Sequence, residues 1–469
     1  MNYLLYSQIA LASSEAGHHV SSTVTGLFGF LLVLMILALA LEEKIHAKKS
    51  IIVGVFAVFS LLLATYFDIL PQDTLQNSFN ETITIPVYIA AIDWGVIAII
   101  LGSSVFVDVT ARSGLFSWIA ITLTKKSKGD PLRLLWFYGL MTVFFSAVLN
   151  NVTAMIIVGS LSVVSLERLK RQDLLLAFLL IEGLLTNVGG LLTLISSVPN
   201  IIVGTAANIH FGTFFLYAAP YVFLATISTI LLGAKRFHIN ALVDEASKEE
   251  AKQLVSSFDA EEGIQSKGFF FFAGFMLCSF VLCIALASSL PLINKLGMGF
   301  VSLSFGTLML VRFKSIVHEF YQEIDWDLLG FFTGLFVVIN VMEHANVLLT
   351  IGEGLSYLLD WGDALGGTAL LVSSAMCSSV TDNIPLAAML AKILSNLNTD
   401  SSSSLWWSVI FGANLGGNLT PIGSASTLVA VTIMHKNQLQ VSFVDFVKHA
   451  ALFAFVQIII AVLYLLIVF

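Results

Sequence analysis

Three polar motifs occur twice in this chain, in the same order, inside two strongly apolar halves. "AIDWG" at 91–95 returns as "EIDWD" at 323–327, and "SAVLNNVTA" at 146–154 returns as "SSVTDNIPL" at 378–386. One offset, 232 residues, separates Trp94 from Trp326 and Asn151 from Asn383. "TNVGGLLTLISS" at 186–197 returns as "ANLGGNLTPIGS" at 413–424, with 227 residues between Gly189 and Gly416. Internal duplication of this kind is how many membrane transporters build one central site from two copies.

The chain is 57% hydrophobic and 11% charged, whereas about 25% of an ordinary soluble domain is charged. Most of it therefore belongs in lipid, and no nucleic-acid partner is expected. The net charge of −8 carries little meaning, because charge in a membrane protein is sorted by loop. Cys278, Cys283 and Cys377 lie in apolar segments without metal-ligand spacing and read as core thiols. His18 and His19 read as a solvated pair in a polar tail.

The class predicted is an all-α polytopic membrane protein with about ten full spans, since about 20 apolar residues cross a bilayer. Lys and Arg collect at 42–50, 125–133, 166–173 and 235–267, which marks those loops as cytoplasmic. Residues 134–165 are apolar yet flanked by basic loops at both ends, so they predict a re-entrant hairpin entering from the cytoplasm. Residues 368–395 are flanked by segments without Lys or Arg and predict a hairpin entering from outside. The expected organisation is an external tail at 1–22, scaffold helices at 23–86 and repeat 1 at 87–233, with its hairpin and a broken helix at 174–207. A solvated, amphipathic cytoplasmic linker at 234–267 leads to repeat 2 at 268–469, with its hairpin and a broken helix at 405–434. The repeats are inverted in topology and both termini are external.

Irregular backbone at membrane depth must line a protein cavity or water. The hairpin tips, with Asn150, Asn151, Thr153, Thr381, Asp382 and Asn383, therefore predict an ion site built from amide, hydroxyl and carboxylate oxygens. The glycine-rich motifs break helices and bare backbone groups there. Asn187, Gly189, Gly190, Thr193, Ser196 and Ser197 in the first copy answer Asn414, Gly416, Gly417, Thr420, Gly423 and Ser424 in the second. Carboxylates within spans are costly and default to function; Asp382, Glu182 and Asp108 are the coupling candidates, with Asn340 as the counterpart of Asp108. Asp93, Asp325 and Asp327 read as caps or interfacial residues. Glu343 and His344 are adjacent on a helix and point in different directions.

At these motifs the chain resembles the ion transporter superfamily, in particular the group of arsenical pump membrane proteins, the melanosomal P protein and NhaD-type sodium/proton antiporters. Gly189, Gly190, Thr193, Ile195, Pro199 and Asn200 match the first-half signature of that group. Asp382, Asn383, Pro385, Gly416, Gly417, Thr420 and Gly423 match the second, and Glu182 falls where the group usually has an acid. The chain departs from the group in having Asn150-Asn151 where Asp-Asn is common, and Ser196-Ser197-Val198 in place of Gly-Asp-Pro. The resemblance implies a homodimer whose transport region slides as an elevator in a membrane, here the bacterial inner membrane.

The function expected is secondary active transport of a small inorganic ion, of the arsenite-efflux or sodium/proton-antiport kind, driven by a proton or sodium gradient. No cofactor is expected beyond a bound sodium ion. A sodium-coupled symporter of carboxylates or other organic anions on the same fold is the alternative, and a passive anion channel a third. No nucleophile–base pair, metal motif or nucleotide loop points to an enzyme.

Overall fold

The computed structural model describes residues 20–71, 73–76, 82–287, 290–359 and 361–469. The tail through His19 lies outside them. Eleven of the described helices are long and apolar enough to cross a membrane, so the all-α polytopic class holds. The exception is a small antiparallel hairpin, β1 (Asp73–Gln76) with β2 (Thr82–Ile85), which sets Asp73 opposite Ile85.

The chain divides into two compact units. One comprises Met1–Asp93 and Gly330–Glu353. It holds α1 (Ser22–Ala40), α2 (Lys49–Tyr66) and most of α13 (Trp326–His344). Phe28 of α1 and Val53 of α2 are fully buried. A Cβ on Gly334 would sit 3.1 Å from Val53 Cγ1, so the missing side chain lets α13 and α2 approach closely.

The other unit comprises Trp94–Leu329 and Gly354–Phe469. Its first helices are α3 (Trp94–Ala111) and α4 (Leu115–Ser127). The apolar run at 87–123 thus folds as two helices, turned at Gly114, whose φ of 81° suits a residue without a Cβ. The run at 326–358 is likewise split, between α13 and α14 (Val347–Leu359), at Asn346 with φ 59°. Helix α3 packs against α12 (Pro291–Leu310) along a glycine seam. A Cβ on Gly306 would lie 2.8 Å from the Gly102 carbonyl oxygen, and one on Gly102 would overlap the Ser302 backbone.

The first hairpin is α5 (Pro131–Val148) and α6 (Asn151–Arg168), and the second is α15 (Asp363–Ser378) and α16 (Asn383–Asn396). The first interrupted helix is α7 (Leu175–Gly190) continued by α8 (Val198–Ala206). The second is α17 (Ser404–Gly416) continued by α18 (Ala425–Lys436). Helices α9 (Phe211–Arg236) and α19 (Phe443–Val468) pack against each other and against α7.

Between α9 and α11 (Lys267–Ala285) runs the charged segment that contains α10 (Glu245–Ser256). It is exposed along most of its length and is also tied to the first hairpin. The Asp130 carboxylate caps α5 through Arg133 N at 2.9 Å and with its other oxygen accepts Leu242 N at 2.8 Å. Arg168, the last residue of α6, pairs with Glu262 at 3.6 Å and lies 5.4 Å from the ring of Phe258, which is buried.

The cysteines also correct the sequence expectation. Cys278 and Cys377 lie on the protein surface and Cys283 is half-buried. In a membrane protein, surface positions facing lipid are as apolar as core positions, so an apolar neighbourhood cannot distinguish them.

Candidate functional site

Both hairpin tips are built alike. Asn150 caps α6 by accepting Thr153 N at 2.8 Å, and Asp382 caps α16 by accepting Ile384 N at 3.0 Å. Such caps satisfy helix N–H groups that no backbone carbonyl can reach. Thr381 turns its hydroxyl back to the Cys377 carbonyl at 2.8 Å. Thr153 is half-buried in the first turn of α6.

Each hairpin is fastened to its interrupted helix by the same two hydroxyls. Ser146 donates to the Thr186 carbonyl and Ser378 to the Ala413 carbonyl, at 2.5 and 2.6 Å. Thr193 donates to the Ala147 carbonyl at 2.6 Å and Thr420 to the Ser379 carbonyl at 2.5 Å. Each pair of donors, and each pair of acceptors, keeps the offset of its own motif.

The glycine pairs do not have left-handed backbone; Gly189, Gly190 and Gly416 are the last helical residues of α7 and α17. Close approach explains them. A Cβ on Gly189 would lie 2.7 Å from Val143 Cα, and one on Gly416 would strike the Ala375 carbonyl, 232 residues on from Val143. On Gly190 it would overlap the Asn151 side chain, and on Gly417 it would lie 2.8 Å from Ser424 Cβ. The interruptions follow these glycines directly, and their missing side chains also admit neighbours.

The two interrupted helices meet in a buried network of amides and hydroxyls. Ser197 donates to Asn414 Oδ1 at 2.6 Å, and Asn414 Nδ2 donates to Asn200 Oδ1 at 2.9 Å. Asn187 Oδ1 accepts from Ser424 and Ser426 at 3.0 Å each and from Asn151 Nδ2 at 3.2 Å. Ser424 and Ser426 also face each other at 2.8 Å. Two hydroxyl protons serve three contacts, so only two are made at once. Asn187 Nδ2 donates to Asn418 Oδ1 at 2.8 Å, and Asn418 passes the chain to Gln457 Oε1 at 2.8 Å. Asn187, Asn200, Asn414, Asn418, Ser426 and Gln457 are all fully buried. Asn200 Nδ2 donates its two protons to the Gly190 and Thr193 carbonyls, and the single Ser196 hydroxyl proton points between the same two oxygens, closing the end of α7.

No Lys or Arg enters this network. Ser197 stands at the N-cap of α8, but its hydroxyl is committed to Asn414 and no side chain caps that helix. The positive end of α8 therefore faces the network without a side-chain oxygen on it. Among the described residues no group of three or more His, Cys, Asp or Glu is arranged to hold a metal ion.

The predicted site residues are thus brought to one region by four helix pairs, with Asn383 buried at the start of α16. Asp382 stands at the second tip and Glu182 one and a half turns before Asn187 on α7. Asp108 is elsewhere, in the last turn of α3. Arg112, just past that helix, bonds to Glu319 at 3.1 Å and Glu323 at 2.7 Å and stacks 4.2 Å from the Phe320 ring. Burial weighs against the Arg112 charge, and the two carboxylates outweigh it, holding the guanidinium above its ordinary range. Asp325 accepts Leu328 N at 2.9 Å as a cap. His344 Nδ1 donates to the Asn340 carbonyl at 2.8 Å.

Sequence reasoning passed over Ser146, Ser378, Asn418, Ser426 and Gln457. Ser146 and Ser378 open the duplicated hairpin motif, and Gln457 is a lone amide in a strongly apolar helix; both were usable signals. Asn418 stands where the first copy has Leu191, so duplication hides it.

Residues 9–412 match the family model described as CitMHS, citrate transporter. An uncharacterised transporter of Mycobacterium bovis is 29% identical over 381 residues, covering 80% of this chain and 86% of that protein. The P protein of Mus musculus, from the group the motifs resemble, is 23% identical over 512 residues, covering 90% of this chain and 60% of that one. Among solved structures, the Alcanivorax borkumensis YdaH transporter aligns with TM-score 0.56 at 15% identity, over 90% of this chain and 98% of that one. Neisseria gonorrhoeae MtrF, of a class of antimetabolite efflux pumps, aligns with TM-score 0.57 at 13% identity, over 90% and 95%. These two share the fold.

Proposed function

The chain belongs to the CitMHS citrate transporter family, and we propose that this membrane transporter is a secondary active carrier of a small carboxylate anion, coupled to a proton or sodium gradient. The observation that carries this reading is the buried N-terminus of α8, which no side chain caps, beside a network of amides and hydroxyls without a carboxylate of its own. A helix N-terminus attracts anions through its dipole and its unpaired N–H groups, and amides and hydroxyls can donate to carboxylate oxygens. Asn150-Asn151 at the first tip supports it, since a carboxylate there would repel an anion. The bacterial relatives support a bacterial inner membrane as its place, and the resemblance supports an elevator movement within a homodimer.

The test is uptake of labelled citrate into proteoliposomes with proton or sodium gradients imposed separately. Accumulation above equilibrium with one gradient, and none without, is the expected result. Citrate flux that never runs uphill would replace the carrier with a channel. A second reading, transport of a small inorganic ion of the arsenite-efflux or sodium/proton-antiport kind, is favoured by Asp382 at the second tip. Uphill movement of arsenite or sodium without citrate transport would establish it instead.

A further inference from the structure

Glu182 is buried to 1% exposure in the middle of α7. Its Oε1 accepts the Ser162 hydroxyl at 2.5 Å, and its Oε2 has no hydrogen-bond partner. A buried carboxylate without a cation is costly, and burying one with an oxygen left unpaired is a feature a stable fold does not need. Full charges on the elements packed against α7 stay at their ends. They are Arg133 on α5, Glu167 and Arg168 on α6, Lys235 and Arg236 on α9, and Lys436 on α18, with Asp445 and Lys448 on α19 and Asp173 in the turn before α7; all are exposed. His435 ends α18 and bonds to the Val441 carbonyl, and the half-buried His449 lies against Phe237. Tyr138, fully buried on α5, is a further titratable group near Glu182.

Beyond Ser162 the buried hydroxyls continue. Ser165 is three residues further along α6, on the same face. It meets the Tyr138 hydroxyl at 2.7 Å, which meets Thr124 Oγ1 at 3.0 Å. Ser127 donates to the Thr124 carbonyl at 2.7 Å and accepts Gly129 N at 3.1 Å, in the turn between α4 and α5.

We propose that Glu182 carries the coupling proton, with the Ser162 hydroxyl holding its carboxyl in place and the Ser165, Tyr138 and Thr124 hydroxyls clustered one helical turn further along α6. In one loading event Glu182 takes up one proton on Oε2, the oxygen without a partner, while Ser162 keeps its bond to Oε1. The net change is a single proton on Glu182. A hard cation takes about six oxygen ligands, and Glu182 has one hydroxyl beside it, so this carboxyl suits a proton and not sodium. The inference rests on the transporter reading for its role, and deepens it by naming the residue that carries the proton.

The experiment has two arms on the reconstituted full chain. Infrared difference spectra between mildly acid and mildly alkaline buffer need no substrate. A protonated-carboxyl band that changes with pH in the wild type and is lost in Glu182→Gln is expected, with Ser162→Ala shifting its frequency. The second arm compares citrate exchange with citrate accumulation driven by a pH gradient. Glu182→Gln keeps exchange and loses accumulation, whereas Tyr138→Phe, which keeps the ring, slows accumulation and alters its pH profile. Absence of any Glu182-dependent carboxyl band overturns the proposal whatever the substrate. Failure of citrate exchange in the wild type, with the band present, overturns only the substrate. A Glu182→Gln variant that accumulates citrate as the wild type does overturns the coupling role.

Discussion

Ser424 donates its hydroxyl to the Asn187 side chain at 3.0 Å, and the residues 227 positions away in each direction repeat the bond: Ser197 donates to Asn414 at 2.6 Å. The N-terminal cap position of each interrupted helix is thus tied to the last turns of the other. Two interrupted helices held reciprocally cannot shift independently without breaking both bonds, which ties the geometry of one half of the site to that of the other.

The reciprocity makes a matched prediction. Ser197→Ala and Ser424→Ala should impair citrate transport to a similar degree, each with a stability loss of about 1 kcal/mol. Asn187→Ala should cost more, because it leaves Asn418 Oδ1, Asn151 Nδ2 and one of the two serine hydroxyls without their partner, at about 1–3 kcal/mol for each unsatisfied group. Melting temperature and uptake measured together check this; a silent variant at either serine would show that its bond is incidental.

Asp382 separates capping from charge. Asn caps a helix as well as Asp, and Ala costs about 1 kcal/mol, so Asp382→Asn should fold with near-native stability and Asp382→Ala should melt lower. Transport should fall in both if the carboxylate binds a cation. Full transport by Asp382→Asn would leave this residue a cap, as Asn150 is.

The glycines divide by what they touch. Gly189→Ala and Gly416→Ala force a methyl group against the backbone of α5 and α15 and should cost about 1–3 kcal/mol. Gly190→Ala displaces the Asn151 side chain and should weaken transport more than stability. Thermal melting with and without citrate distinguishes them: an unchanged ligand-induced shift in Gly190→Ala would mean that Asn151 does not serve the site.

The linker latch is checked by proteolysis. Asp130→Ala frees Leu242 N and uncaps α5, and Glu262→Lys sets two positive charges together at Arg168. Both should speed trypsin cleavage at Lys248 and Lys252, which are exposed on α10. Equal cleavage rates in wild type and variants would show that these contacts do not hold the segment.

The chain's apolar content and its three duplicated motifs determined on their own that it is a polytopic helical membrane protein of this superfamily. The reason is that spans must be about 20 apolar residues long, and that polar residues in such spans are few and conspicuous. Asn187, Asn414, Ser197 and Ser424 were legible as a site because each recurred at one offset. Tertiary structure alone decided what they do: which serine reaches which asparagine depends on how α7, α8, α17 and α18 cross. Asn418 and Gln457 complete the network without a counterpart in the other copy, and no repeat could reveal them. Whether Cys377 faces outward, or Gly189 meets backbone, is likewise set by packing, because lipid and protein interior select the same apolar residues. Asp108 shows the converse: its place inside an apolar run suggested the site, and only the turn at Gly114 set it at a helix end beside Arg112.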